Sequence, residues 1–153
     1  MERQTHISKF GGSILIDSNS FRRAAEVISR QPGRNIIVIS ALGARAGEPK
    51  VTDQLYTRQI NGVLDRYQAI AEDLNCHGIL AHIDQLRGHL PGARSEDLVV
   101  SRGEWLSARL LAEYISAEFI DGTELIQVEN HQVHSNTASR AASRLEITSQ
   151  SVV

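Results

Sequence analysis

The chain has 153 residues, 41% of them hydrophobic and 22% charged, with a formal net charge of −2. That balance fits one ordinary globular domain with a real core. It excludes a nucleic-acid-binding face, because no Lys/Arg-rich run occurs and Lys stands only at positions 9 and 50. It also excludes a membrane-spanning helix, since no apolar run approaches the ~18 residues that one needs. The single cysteine, Cys76, leaves no intrachain disulfide and suits a reducing compartment. The polar start MERQTHISKF lacks the pattern of a signal peptide, so a cytoplasmic location is expected.

His6 to Phe10 reads as a short strand closed by Gly11-Gly12. The polar cluster 17–20 then offers N-caps for a helix whose apolar stripe is Phe21, Ala24, Ala25 and Ile28, at i, i+3, i+4 and i+7. Pro32-Gly33 ends that helix. The β-branched run Ile36-Ile37-Val38-Ile39, within 35–40, reads as a buried parallel strand. Together these make one βαβ unit, right-handed by default. After the small-residue loop ALGARAGEPK, Thr52 is expected to cap a long helix running to about Asn75. A second helix carries Ile79, Ile83, Leu86 and Leu90 and breaks at Pro91-Gly92. A third strand is expected over Asp97–Ser101, a helix from Gly103 with Leu106, Leu110, Tyr114 and Ala117 inward, and a fourth strand over Leu125–Val128. From 129 to 153 the composition turns to Ser, Asn and Thr. That stretch reads as a polar, poorly ordered tail with a short helix near Ala138–Leu145. The fold class is α/β, with a parallel sheet and helices on both faces.

In an open parallel sheet, ligands bind beyond the C-terminal ends of the strands. Three segments are expected there: Lys9-Phe10-Gly11-Gly12-Ser13, Ser40-Ala41-Leu42-Gly43 and Ser101-Arg102-Gly103-Glu104. Two adjacent glycines turn the backbone tightly and expose N–H groups, so the first segment is either a phosphate cradle with Lys9 as a point charge or an ordinary strand-to-helix turn. It has neither the Gly-x4-Gly-Lys spacing of a P-loop nor Gly-x-Gly-x-x-Gly. Glu104, in the first turn of a helix, either complements the helix dipole or receives a ligand ammonium. His131 and His134 lack further ligands at metal spacing, and His77, His82 and His89 form no His-Glu-x-x-His, so no metal site is expected. Trp105 reads as either a core residue or a lid over the pocket.

Taken in order, KFGGS, ISA…G…VTDQL and SRGEWLSARLLAEY resemble the aspartokinases, over roughly residues 6 to 140. The resemblance implies an amino acid kinase-like parallel-sheet sandwich that is incomplete, spanning residues 1–153 as the N-terminal, acceptor-binding part and lacking the C-terminal nucleotide-binding half. It implies that Lys9 contacts the transferring phosphoryl group, with Gly11, Gly12 and Ser13 as donors around it. Ser40 and Ala41 would line the acceptor pocket, Thr52 would touch the substrate, and Glu104 would hold its amino group. The implied reaction takes ATP with Mg2+ and L-aspartate, or a similar small amino acid, to 4-phospho-L-aspartate, by positioning and charge neutralisation.

The chain departs from the aspartokinase pattern at Ile14, where a small hydroxyl residue is usual, and at Gln127 or Glu129, where an Asp is usual. It has no counterpart of the later Gly-Arg-Gly-Gly-Ser-Asp segment. Turnover of ATP by this chain is therefore not expected. The partners expected are a second copy, by self-association through an edge strand and helical face left uncovered, or a complementary kinase half. The alternatives are a non-catalytic amino-acid-binding module and a truncated remnant.

Overall fold

A computed structural model describes residues 6–31, 33–130, 132–145 and 150–153. The first βαβ unit forms where the residue pattern places it. Strand β1 (His6–Phe10) pairs in parallel with β2 (Arg34–Ile39), and helix α1 (Ser18–Ser29) connects them. Asp17 caps α1 by accepting from the Ser20 N–H at 2.8 Å, while the Ser20 hydroxyl accepts from the Asp17 N–H at 3.0 Å. This reciprocal pair contributes about 1 kcal/mol to the helix start. Phe21, Ala24 and Ile28 bury the inward stripe. Ile37 and Ile39 of β2 join the same core cluster as Phe10, while Ile36, on the alternate face, is buried outside it.

The helical stretch after the second loop is divided differently from the sequence expectation. Instead of one helix from Thr52 to Asn75 there are α2 (Val51–Tyr56) and α3 (Ile60–Asp73). Between them Arg58 adopts a left-handed φ of 59°, and the Gln59 N–H closes back on the Gln54 carbonyl at 2.9 Å. Arg58 also donates to the Ala93 carbonyl at 3.0 Å, a distant contact that no local residue signals. The N-cap of α2 is Lys50, and Thr52 lies in its first turn. Helix α4 (Leu80–His89) then runs into a 3-10 turn at Leu90–Gly92.

The expected third strand is a helix, α5 (Glu96–Val100). Ser95 caps it by accepting from the Leu98 N–H at 3.1 Å, and Glu96 and Asp97 place negative charge in its first turn. Those N-terminal signals outweigh the β-branched pair Val99-Val100. Helix α6 (Arg102–Tyr114) follows, with Leu106 and Leu110 fully buried and Tyr114 half-buried at the margin of the core, while Ala117, expected inward on this helix, lies beyond its end and is half-buried.

The remaining sheet strands are short: β3 (Glu118–Phe119) and, at the end of the chain, β6 (Ser151–Val152). The sheet order is β1-β2-β6-β3, parallel throughout, so β6 lies between two partners rather than fraying. Ser151 and Val152 are buried there. The Val153 N–H donates to the Ile37 carbonyl, and the Ile120 N–H to the Val152 carbonyl. A two-residue strand with paired neighbours on both sides needs no pattern of its own, which is why the polar tail conceals it. The expected strand over Leu125–Val128 divides into α7 (Gly122–Leu125) and β4 (Val128–Glu129), which pairs antiparallel with β5 (Gln132–Val133). Asp121 caps α7 by accepting from the Thr123 N–H. Helix α8 (Thr137–Leu145) occupies the place of the expected short helix. No helix among the described residues is long and apolar enough to cross a membrane.

Candidate functional site

A cavity of about 630 Å3 opens where the segments after β1 and β2 meet the first turns of α2 and α6. Gly12, Ser13, Ser40, Ala41, Thr52 and Glu104 all line it. Six sequence-singled residues from four stretches of chain therefore meet at one place. Lys9 and Gly11 do not line it. Lys9 is exposed on β1, opposite Val38, and Gly11 closes a turn by accepting from the Ile14 N–H at 3.0 Å. The segment carrying Glu104 reaches the cavity from the α5–α6 junction, not from a strand end.

Convergence this close requires missing side chains. A Cβ on Gly12 would stand 2.8 Å from the Ala41 carbonyl oxygen, and a Cβ on Gly43 would collide with the Gly12 carbonyl. The backbones of the two loops thus touch directly, joined by the Gly43 N–H donating to the Leu15 carbonyl at 2.8 Å. Gly103 does the same for α6: a Cβ there would stand 2.9 Å from both Ala41 Cβ and Val51 Cγ1. No left-handed φ is involved at these three positions; what glycine supplies is room.

Beneath the loops, α3 sends up two neighbouring side chains. Arg66 is buried, and its Nη2 donates to the carbonyls of Ile16 and Gly43, each at 2.8 Å. Its Nε lies 3.9 Å from Glu48, whose carboxylate is held mainly by Arg45 at 2.8 Å. Burial, and next the Arg45 charge, push the Arg66 guanidinium below its ordinary pKa. Tyr67 is fully buried, and its hydroxyl lies 2.7 Å from the Gly103 carbonyl, 2.8 Å from Ser107 Oγ and 3.4 Å from the Leu42 N–H. Burial pushes the phenol well above its usual pKa, so it remains a hydroxyl that can donate.

The cavity is lined by backbone turns, three hydroxyl side chains and two side chains of opposite charge, Glu104 and Lys50. Such a set can hold a small zwitterion by its ammonium and carboxylate ends. Lys50 went unassigned by sequence reasoning; the available signal was the scarcity of lysine itself. Arg66 and Tyr67 carried no functional signal, since Tyr67 fits the apolar stripe of its helix.

Glu104 also borders a second, mostly apolar cavity of about 390 Å3, lined by Val38, Trp105, Phe119, Ile126 and Val153 among others. Trp105 therefore packs beside the first cavity rather than over it. Its Nε1 donates to Asp121 at 2.9 Å, its ring meets Phe119 edge-on at 5.7 Å, and Arg109 lies 5.0 Å from the centres of both rings. Burial works against the Asp121 carboxylate. Even so, hydrogen bonds from Thr123 and Trp105 hold it below the usual carboxylate range. No group of three or more His, Cys, Asp or Glu among the described residues is placed to hold a metal, and His131 lies outside them.

A sequence model of the amino acid kinase family matches residues 4–151. Aspartokinase 3 of Bacillus subtilis is 29% identical over an alignment covering 75% of this chain and 31% of that protein. The crystal structure of Clostridium acetobutylicum aspartate kinase superposes with a TM-score of 0.80 at 29% identity, covering 95% of this chain and 36% of the other. E. coli aspartokinase III, in complex with aspartate and ADP, gives 0.79 at 21% identity, covering 94% and 39%; at that identity the likeness concerns the fold. This chain thus spans about a third of the length of these relatives.

Proposed function

The chain belongs to the amino acid kinase family, and on that premise we propose that it is the acceptor-binding part of an aspartate kinase. The proposed ligand is L-aspartate. The observation that carries this reading is the single cavity that gathers Gly12, Ser13, Ser40, Ala41, Thr52 and Glu104, with Lys50 on its wall. In the proposed arrangement Glu104 receives the substrate ammonium, Thr52 and Ser40 hydrogen-bond its polar groups, and Lys50 faces a carboxylate. The Gly12-Ser13 turn lies where it can offer donors to an incoming phosphoryl group. Aspartokinase III of E. coli is described with both aspartate and ADP, which supports an amino acid and a nucleotide as the ligand classes.

The proposed donor is ATP with Mg2+: a carboxylate oxygen of the acceptor would take the γ-phosphoryl group as its bond to the β-phosphate oxygen breaks, giving an acyl phosphate and releasing ADP. The Gly12-Ser13 turn fits such a group. No metal ligand is assigned, because Glu104 is the one carboxylate among the described residues that line the cavity. This chain's own residues would orient the acceptor and hold its ammonium away from the reacting end, the positioning share of catalysis. Lys9, exposed on β1, is proposed to meet the phosphoryl group from outside the cavity wall.

Glu104→Gln tests the assignment. Loss of one charge-assisted hydrogen bond, roughly 1.5–3 kcal/mol, should weaken aspartate binding by about 10- to 150-fold in calorimetry. Glu104 is exposed, so the melting temperature should hold. Equal affinity in both proteins, or no binding by the unaltered chain, defeats the reading.

A further inference from the structure

The buried hydroxyl of Tyr67 hydrogen-bonds both walls of the cavity, which also pack on each other where Ala41 and Val51 meet Gly103. The Gly103 carbonyl can only accept, so it takes the single hydrogen of Tyr67 at 2.7 Å. The Ser107 hydroxyl, 2.8 Å away, must then donate to Tyr67, as does the Leu42 N–H at 3.4 Å. One oxygen atom therefore joins the loop after β2 to the first turn of α6, from a helix distant from both in sequence. Leu42 adjoins Ala41 and Gly43, and Gly103 adjoins Glu104. A shift at either end of this link moves a wall of the cavity directly.

We propose that Tyr67 is a positioning residue of the acceptor site, whose hydroxyl sets the separation between the 40–43 loop and Glu104. It lines no part of the cavity. The proposal rests on reading that cavity as the aspartate site, and it extends the reading to a helix with no ligand-facing residue of its own. Geometry explains why this matters: the ammonium and carboxylate ends of a small amino acid are a fixed distance apart, so opposing walls must be held to a fraction of an ångström.

The test compares Tyr67→Phe with Ser107→Ala in the full chain. Phenylalanine keeps the ring and its packing but removes the link between the walls. Alanine at 107 also deletes a buried hydroxyl, yet leaves Tyr67 bonded to both Gly103 and Leu42. Both variants should lose stability, so a plain structural role would treat them alike. Under the proposal, Tyr67→Phe binds aspartate about tenfold more weakly at a temperature where it is fully folded, whereas Ser107→Ala keeps wild-type affinity. Amide hydrogen exchange, read without any ligand, should quicken over 40–44 and 102–105 in Tyr67→Phe alone. If the two variants shift exchange in those segments equally, or neither does, the proposal is overturned. Should the unaltered chain fail to bind aspartate while exchange behaves as expected, the positioning role stands and the aspartate reading falls.

Discussion

Residues 6–114 and 122–145 both contain helices and paired strands, but they are held in different ways. In the first stretch the helices bury fully enclosed side chains, Phe21, Leu55, Leu64, Tyr67, Ile83 and Leu110 among them. In the second, Leu125 is the one buried hydrophobic residue among those described, α8 buries none, and Ile126, Val128 and Val133 are each more than half exposed. Polar contacts hold α8 instead: Arg140 reaches the Gln127 side chain and Arg144 bridges Glu118 and Glu124. The lesson is that regular backbone structure does not say where rigidity lies. The cavity that collects the family motif is built entirely on the enclosed part, over Arg66 and Tyr67. Burial fixes geometry there more tightly than exposed ion pairs can.

The largest effect separating the two regions should come from Leu110→Ala. Leu110 is fully buried in α6, and its truncation leaves a cavity costing about 2–5 kcal/mol. Urea denaturation should show the midpoint falling sharply. A midpoint close to wild type would mean that the core collapses around the gap, and the contrast between regions would lose its basis.

Gly43→Ala comes next and sharpens the comparison, because it acts on the site more than on the core. The added Cβ meets the Gly12 carbonyl, so the two loops must part, at a cost of about 1–3 kcal/mol. Aspartate binding should be lost in protein that still gives a cooperative thermal transition. Binding retained at wild-type strength would show that direct contact of the two backbones is dispensable.

Legibility in the sequence follows the same divide. α1 and α6 could be read because burial repeats at the helical period, as in Phe21, Ala24 and Ile28, β2 because its short β-branched run is buried at Ile36, Ile37 and Ile39, and β1 from the Gly11-Gly12 pair that closes it. The glycines and hydroxyls of the cavity were legible as a motif, and the structure gathers them. Lys9, placed by the same motif, stays outside the cavity wall. The misreadings occur where a cap or a distant partner decides. Asp97–Ser101 looked like a strand until the cap from Ser95 and its packing on α2 are included. Ser151-Val152 is too short to show a pattern, and it is a strand because β2 and β3 flank it. Tyr67 looked like one more core residue; its function lies in bonds to Leu42 and Gly103, 25 and 36 residues away.

The smallest effect should come from Arg144→Ala. Its Nη2 lies 2.8 Å from Glu118 and its Nε 3.1 Å from Glu124, and the hydrogen bonds it donates to those two carboxylates, Glu118 first, raise its pKa. The side chain is about one-third exposed, as is that of Glu118, while Glu124 is half exposed, so water and salt screen both pairs. A guanidinium already charged at neutral pH gains nothing from a raised pKa there, so no pH dependence should appear between mildly acidic and mildly basic conditions. The melting temperature of the variant should match wild type within error. Amide exchange over 137–145 should nonetheless quicken, because the two ion pairs tie that helix to β3 and, together with Arg140 donating to the Glu124 carbonyl, to α7. A fall in melting temperature comparable to that of Leu110→Ala would mean that α8 unfolds together with the core. The two regions would then be one cooperative unit, despite the difference in how they are packed.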